Sequence, residues 1–295
     1  MRRTYRSFAK LNLALQVVGR RPDGYHELRT LFQTIELHDE LTVEIAGRDV
    51  ALTVAGADLP ADARNLAWRA AAGFLRRWAP AAGVRLSLRK RIPLGGGLGG
   101  GSSNAATVLT ALQELLGAPA PAEGLRSLAG DLGADVPYFL VGGTALGEGR
   151  GDEVRPLAEL PESEGWLALP AVAVPTAEIF AALGEPAPQP LDPAVAALLA
   201  GRLPARWTAV AAGNDLQEVV FERFPAVRQV YTALVGAGAE LVRLSGSGAS
   251  LFAAFPDPEA AREAARRLPP GCRLEKTRFL SRASLVARRV VESLE

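Results

Sequence analysis

The chain has 295 residues, 48% of them hydrophobic, and its charged side chains nearly cancel at a formal net charge of +1. That length can bury one large core or two ordinary ones, with two domains the better expectation, and the charge balance gives no reason to expect a polyanion or a membrane surface as partner. Cys272 is the only cysteine, which excludes an internal disulfide framework and any cysteine-based metal cluster.

The first segment, MRRTYRSFAKLNLALQVVG, places basic residues before an apolar run as a secretory leader would. Lys10, Asn12 and Gln16 interrupt that run and no small-residue cleavage site follows. No apolar run approaches the ~20 residues of a membrane span, so a soluble, unexported, cytoplasmic protein is expected. Residues 4–18 alternate, with Ala9, Leu11, Leu13, Leu15 and Val17 on one face and Phe8, Lys10 and Asn12 on the other. This pattern predicts a strand that presents Lys10 and Asn12 side by side. Lys10 stands out because only Lys10, Lys90 and Lys276 among the 33 basic residues are lysines. A turn, GRRPDGYHEL, leads to strand-like segments near 30–36, 41–46 and 50–55. Residues 65–78 have helical spacing with Asn65 as cap, and 84–90 reads as another strand.

Residues 95–104, GGGLGGGSSN, come next, with a predicted helix over 103–116 behind them. A glycine-dense loop lets backbone N–H groups approach an anion, and the following helix start adds unpaired donors and a favourable dipole end. A flexible linker would continue in Gly and Ser, whereas this loop stops abruptly. Gly101 is followed by Ser102 rather than Lys, so it is not a P-loop. Gly95, Gly97 and Gly100 satisfy G-x-G-x-x-G, yet the charged segment VRLSLRKRIPL with its Pro93 is a poor Rossmann strand. The companion motifs of protein kinases are missing. A second helix is predicted near 121–131, followed by GADVPYFLVGG.

The character changes near residue 155, which sets expected domains at 1–155 and 156–295; the Pro- and Ala-rich stretch at 184–204 is the alternative linker, less favoured because 155–183 contains regular-looking elements of its own. WLALPAVAV reads as a buried strand. A Pro- and Ala-rich stretch at 184–204 precedes a helix around 223–236, a strand pair flanking Ser247-Gly248, a helix at 257–268 and the strand CRLEKTRFL. That order suits an antiparallel sheet covered on one face by helices, an α+β arrangement.

Three segments, AKLNLAL at 9–15, PLGGGLGGGSS at 93–103 and LSGSGAS at 244–250, together resemble the motifs of the GHMP kinase superfamily. RPDGYHEL, GADVPYF and VPTAEIF extend the likeness, which runs in order from about residue 6 to 255 and points to a branch acting in the non-mevalonate isoprenoid pathway. The resemblance implies a ribosomal protein S5 domain 2-like N-terminal domain, a ferredoxin-like C-terminal domain, ATP with Mg²⁺, and diphosphocytidyl methylerythritol as the small-molecule acceptor. It implies no nucleic acid or membrane partner and says nothing of oligomeric state.

By resemblance, Lys10 and Asp135 are catalytic, the lysine contacting the acceptor hydroxyl and the transferring phosphate and the aspartate taking the hydroxyl proton. On bare sequence Lys10 is equally a solvated strand charge, and Asp135 a turn residue beside glycine. If buried among Ala134, Val136 and Pro137, the carboxylate would be costly without a role. Pro93, Leu94, Gly95, Gly96, Gly97, Leu98, Gly99, Gly100, Gly101, Ser102 and Ser103 match the ATP loop, with Ser102 and Ser103 candidate Mg²⁺ ligands. Asn12, Tyr25, His26 and Thr176 match substrate-pocket positions. Phe32 and Phe180 match the two aromatics that stack on cytosine, against an ordinary reading as core phenylalanines. Gly246, Ser247 and Gly248 form a phosphate-side loop, or simply a hairpin turn. Asp131 is expected on a helix surface. A non-catalytic nucleotide-binding regulator, or another kinase of the superfamily such as homoserine or mevalonate kinase, are the alternatives.

Overall fold

The computed structural model describes residues 1–117, 120–184, 186 and 190–291. Within the Pro- and Ala-rich stretch, positions 185 and 187–189 therefore lie outside the described residues.

Two long antiparallel strands, β1 (Arg2–Arg20) and β2 (His26–Ile45), form the spine of the first sheet. β3 (Val50–Ala55), α1 (Leu66–Trp78), β4 (Val84–Arg89), α2 (Gly100–Leu115), α3 (Ala122–Leu132), α4 (Val136–Val141), β5 (Thr144–Glu148) and β6 (Glu153–Pro156) complete this part. The strand order is β3-β4-β2-β5-β6, with β1 on β2. β2 pairs with three strands because it is long: with β1 along its length, with β4 at 40–45 and with β5 at 30–33, while β3 and β6 add outside β4 and β5. The sequence suggested two strands here, near 30–36 and 41–46. The polar run Glu36–Glu40 hid the continuity, since its Asp39 is buried for an electrostatic reason given below.

A second, wholly antiparallel sheet is built from β7 (Glu164–Leu169), the helices α5 (Thr176–Ala182), α6 (Pro193–Leu199), α7 (Gln217–Arg223) and α8 (Pro225–Gly236), then β8 (Leu241–Leu244), β9 (Leu251–Ala254), α9 (Pro258–Arg267), β10 (Arg273–Arg278) and α10 (Arg282–Arg288). Its order is β10-β7-β9-β8. β7 stops at Leu169 because Pro170 follows, so the apolar residues 171–174 beyond it are not strand as expected. The helix expected around 223–236 is α8, which starts at Pro225; α7, separated from it by Phe224, is an additional helix not expected from the sequence.

Helices α1, α2 and α3 cover one face of the first sheet through Phe74, Leu109, Leu112, Leu86 and Leu88. A second cluster joins the sheets, with Leu11, Leu13, Ile35 and Leu98 meeting Leu167, Phe252 and Phe279. β1 thus has both faces covered. A register shift between Phe8 and Ala9 alters which face its odd residues occupy. Tyr5 packs in the helix-side cluster and Ser7 touches Ser103 of α2, whereas Leu11 and Leu13 join the core between the sheets. The bulge therefore swings Lys10 and Asn12 toward the side where α2 begins.

Candidate active site

Lys10 and Asn12 are each only 3% exposed. The Lys10 ammonium donates to Asn12 Oδ1 at 2.5 Å and lies 3.4 Å from Asp135 Oδ2. Asn12 Nδ2 donates in turn to Thr30 Oγ1 at 2.7 Å, and that hydroxyl donates to the Ala14 carbonyl. Each end of the Asn12 carboxamide makes one hydrogen bond, so it aims Lys10 while itself bordering the cavity that Asp135 opens into. Asp135 stands at the N-terminus of α4 without capping it, and its side chain is 33% exposed. The carboxylate is therefore half-buried; it opens into a cavity of about 470 Å³ that Lys10, Asp135 and the glycine loop line together.

α2 starts at Gly100, three residues earlier than the sequence suggested, inside the glycine run. Its cap, Gly99, has φ 68° and makes no side-chain cap bond, so the first backbone N–H groups of the helix have no intrahelical partner and face the cavity. The loop carbonyls point the other way. Gly95 O accepts from Ala249 and Val174 N–H, Gly96 O from Ser250 N–H, Gly97 O from the Ser245 hydroxyl, Leu98 O from Lys10 N–H and Gly99 O from Ser103 N–H. Gly97, with φ 71°, could not carry a Cβ because it would run into the Ser245 carbonyl oxygen. The loop is thus wedged against residues 245–250.

Serines 102 and 103 part company here. Ser102 lines the cavity. Ser103 is 2% exposed, its hydroxyl donates to Phe8 O at 2.6 Å, and it does not border the cavity. The expectation that Ser103 binds ATP or a metal is corrected: its hydroxyl is spent on fixing α2 to β1. Gly246 and Ser247 line the cavity, with Ser247 Oγ 2.7 Å from Thr176 Oγ1. Gly248 lies behind them, its N–H donating to Ser245 O at 2.9 Å.

Lys90 is a second buried lysine at this wall, bonded through its ammonium to Asp39 Oδ2 and to Asn104 Oδ1. Asp39 also accepts from Arg91 and Ile92 N–H at 2.7 and 2.9 Å, and Asn104 Nδ2 donates to Asp39 and Ser7. A charge pair taken out of water needs this full set of partners. It ties β2, β4 and α2 together under the loop. Asp131 is on the outer face of α3, paired with Arg77 at 3.0 Å.

A neighbouring cavity of about 570 Å³ is lined by Arg20, Tyr25, His26, Thr176, Phe180 and Arg150, among others. The His26 and Phe180 rings lie 5.2 Å apart, and Tyr25, 58% exposed, borders the same space. Burial, then the Arg20 guanidinium, hold the His26 pKa below its ordinary value, so the imidazole is neutral at neutral pH. Phe32 does not belong to this group. It is 1% exposed, its ring stacks on Tyr138 at 4.5 Å, and Lys10 Nζ sits 5.5 Å from its centroid. Phe32 and Phe180 both border the 470 Å³ cavity, and only Phe180 extends into the neighbouring one, where Tyr25 and His26 are the other aromatic side chains. Arg150, Arg20, Leu66 and Lys90 also border the two cavities and were not singled out in the sequence.

No helix among the described residues is long and apolar enough to cross a membrane. No cluster of three or more His, Cys, Asp or Glu side chains suited to a metal occurs among them either.

If the N–H end of α2 receives the phosphates, an added negative charge there should repel them. Gly101 is exposed, and a Cβ on it would meet only Leu66 Cδ1 at 3.5 Å. Gly101→Asp should raise the KM for ATP roughly tenfold or more by like-charge repulsion. The melting temperature should not fall, because an acidic side chain in a first helical turn favours the helix. Unchanged ATP kinetics in this variant would place the phosphates elsewhere.

The chain matches the family model for the GHMP kinases N terminal domain over residues 65–143 and that for the GHMP kinases C terminal over residues 194–272. A 4-diphosphocytidyl-2-C-methyl-D-erythritol kinase from Geobacter sp. (strain M21) is 41% identical over 275 residues, 92% of this chain and 93% of that protein. The protein of the same name from Deinococcus radiodurans is 43% identical over 274 residues, 90% of this chain and 88% of its own. Among solved structures, a crystal structure of 4-(cytidine 5'-diphospho)-2C-methyl-D-erythritol kinase matches with a TM-score of 0.77 at 38% identity, covering 95% of this chain and 99% of that one. Homoserine kinase from Cytophaga hutchinsonii shares the fold, with a TM-score of 0.67 at 22% identity over 95% of both chains.

Proposed function

The chain belongs to the GHMP kinase family, and from that premise we propose that it transfers the γ-phosphoryl group of ATP to a hydroxyl of 4-diphosphocytidyl-2-C-methyl-D-erythritol, giving the 2-phosphate. The reaction would serve the non-mevalonate route to isoprenoid precursors. A reducing, cytoplasmic setting suits a chain with one cysteine. The observation that carries this reading is the junction of the two cavities beside Ala134-Asp135: one cavity offers backbone donors and a lysine, the other three aromatic side chains.

The first step is binding. The N–H end of α2 and the loop amides receive the triphosphate, and Lys10 supplies a cation held in place by Asn12 and Asp135. The acceptor base enters the second cavity, where Tyr25 and Phe180 supply ring faces and the neutral His26 offers one donor and one acceptor nitrogen. Asp135 then takes the proton of the acceptor hydroxyl as that oxygen attacks the γ-phosphorus. Lys10, freed in part from Asp135 as the carboxylate gains the proton, stabilises charge on the transferring group.

Mg²⁺ fits the donor set in a limited way. Ser102 and Asp135 are the oxygen side chains of the phosphate cavity on the helix side, far short of a protein cage. Magnesium is commonly held through substrate phosphates with one or two protein oxygens and water. When bound it would neutralise charge on the β- and γ-phosphates.

ADP release measured with ATP and each candidate acceptor tests the proposal: rapid release with the diphosphocytidyl substrate and none with homoserine or mevalonate is the expected outcome. Comparable turnover of homoserine or mevalonate would overturn it. Stacking on one aromatic contributes about 1–3 kcal/mol per base. Phe180→Ala should therefore weaken CMP binding roughly tenfold to a hundredfold while leaving ATP affinity alone, a result readable by calorimetry. Unaltered CMP affinity would remove Phe180 from the base site.

A further inference from the structure

Five of the described residues border both cavities: Leu28, Ala134, Arg150, Thr176 and Phe180. Arg150 is the one that carries a charge. It lies between β5 and β6, where its side chain is about one-third exposed. Asp152 holds it from below, accepting the Arg150 backbone N–H at 3.1 Å, Nε at 3.0 Å and Nη2 at 2.6 Å. On its other side the guanidinium stacks over Tyr25, with Cζ 5.2 Å from the ring centroid. Asp23 is a further nearby acid, close enough to feel the Arg150 charge. Nη1 makes no hydrogen bond among the described residues. The guanidinium is thus oriented in advance of any ligand.

We infer that Arg150 receives the diphosphate that links base to alcohol in the acceptor, and so selects a nucleoside diphosphate-linked alcohol over a free one. The inference rests on the cytidine reading given above. A ligand with its base among Tyr25, His26 and Phe180 and its hydroxyl at Asp135 must carry its linker across the shared wall. Leu28, Ala134 and Phe180 offer that linker no hydrogen bond, and Thr176 already shares its hydroxyl with Ser247. An anion desolvated against such a wall needs a cation. A guanidinium presents a planar fork of donors that matches phosphate oxygens, and Asp152 and Tyr25 spare it the loss of side-chain freedom on binding.

The test is calorimetric titration of cytidine and of CDP into the wild-type chain, Arg150→Met and Arg150→Lys. Methionine keeps an apolar stem over Tyr25 and removes the charge; lysine keeps the charge and loses the fork. Arg150→Met should weaken CDP roughly tenfold to a hundredfold, the loss expected for a charge-assisted hydrogen bond. Cytidine affinity should stay within about twofold, which also reports that the variant is folded. Arg150→Lys should fall between the two. Equal weakening of cytidine and CDP would overturn the inference, because Arg150 would then only brace Tyr25. CDP binding by the wild type that Arg150→Met leaves intact would overturn it alone, whereas no cytidine or CDP binding by the wild type would overturn the cytidine reading as well.

Discussion

Asp135→Asn should lower turnover by roughly 10²–10⁴ with little change in ATP affinity. The amide keeps the size and planarity of the carboxylate but cannot take a proton. Structure gives the test its clarity, because Asp135 makes no cap bond to α4 and opens into the cavity. Its loss should therefore leave the melting temperature nearly unchanged. The side chain has a second duty, since it is the acid beside the Lys10 ammonium. The Asn variant consequently leaves Lys10 with more uncompensated charge, and phosphate binding should hold or tighten while the chemical step fails. Single-turnover kinetics with saturating ATP would display this split. Near-wild-type turnover in the folded variant would assign the base to another group.

Lys10→Met should reduce kcat by roughly 10²–10³ and move the KM for either substrate far less, because the charge acts most strongly on the transferring group. Methionine fills most of the space, so little cavity is created around a residue that is almost wholly buried. The cost to the fold comes from Asn12 Oδ1, which loses its donor. A Lys10→Met, Asp135→Asn double variant should be scarcely slower than the worse single one, since the two side chains serve one step. A change confined to KM would make Lys10 a binding residue only.

Much of this site was legible because its residues are unusual for the chain. A lysine among so many arginines, a run of six glycines in seven positions and an aspartate in GADVPYF each invite a reason. α1 was legible for a local reason too, as Asn65 Oδ1 accepts the Ala67 N–H within its own turn. Features decided by distant partners were not. Ser102 and Ser103 look alike in sequence, and only the bulged β1 strand, through Phe8 O and Ser7, turns one of them inward. Phe32 reads as well as Tyr25 for a ring that meets a base, and only the fold shows that it borders the 470 Å³ cavity with one face packed on Tyr138 of α4, whereas Tyr25 borders the other cavity. The early start of α2 was hidden because glycine is a poor helix former. Gly100 is tolerated there since a Cβ would press on Ile92 and Lys90 Nζ. Arg150 gave no signal at all, being one arginine of many until β5 and β6 brought it over Tyr25.

The inward turn of five consecutive carbonyls, from Gly95 to Gly99, has a bearing on how the enzyme responds to acid and alkali. With its acceptors consumed by protein partners, the loop shows its ligand a surface of peptide N–H donors, and peptide N–H groups do not titrate in the physiological range. If this wall receives the phosphates, the loop's own part in holding them does not depend on the protonation of a side chain. The loop's share of ATP affinity should therefore change between mildly acidic and mildly alkaline solution only as the terminal phosphate itself ionises.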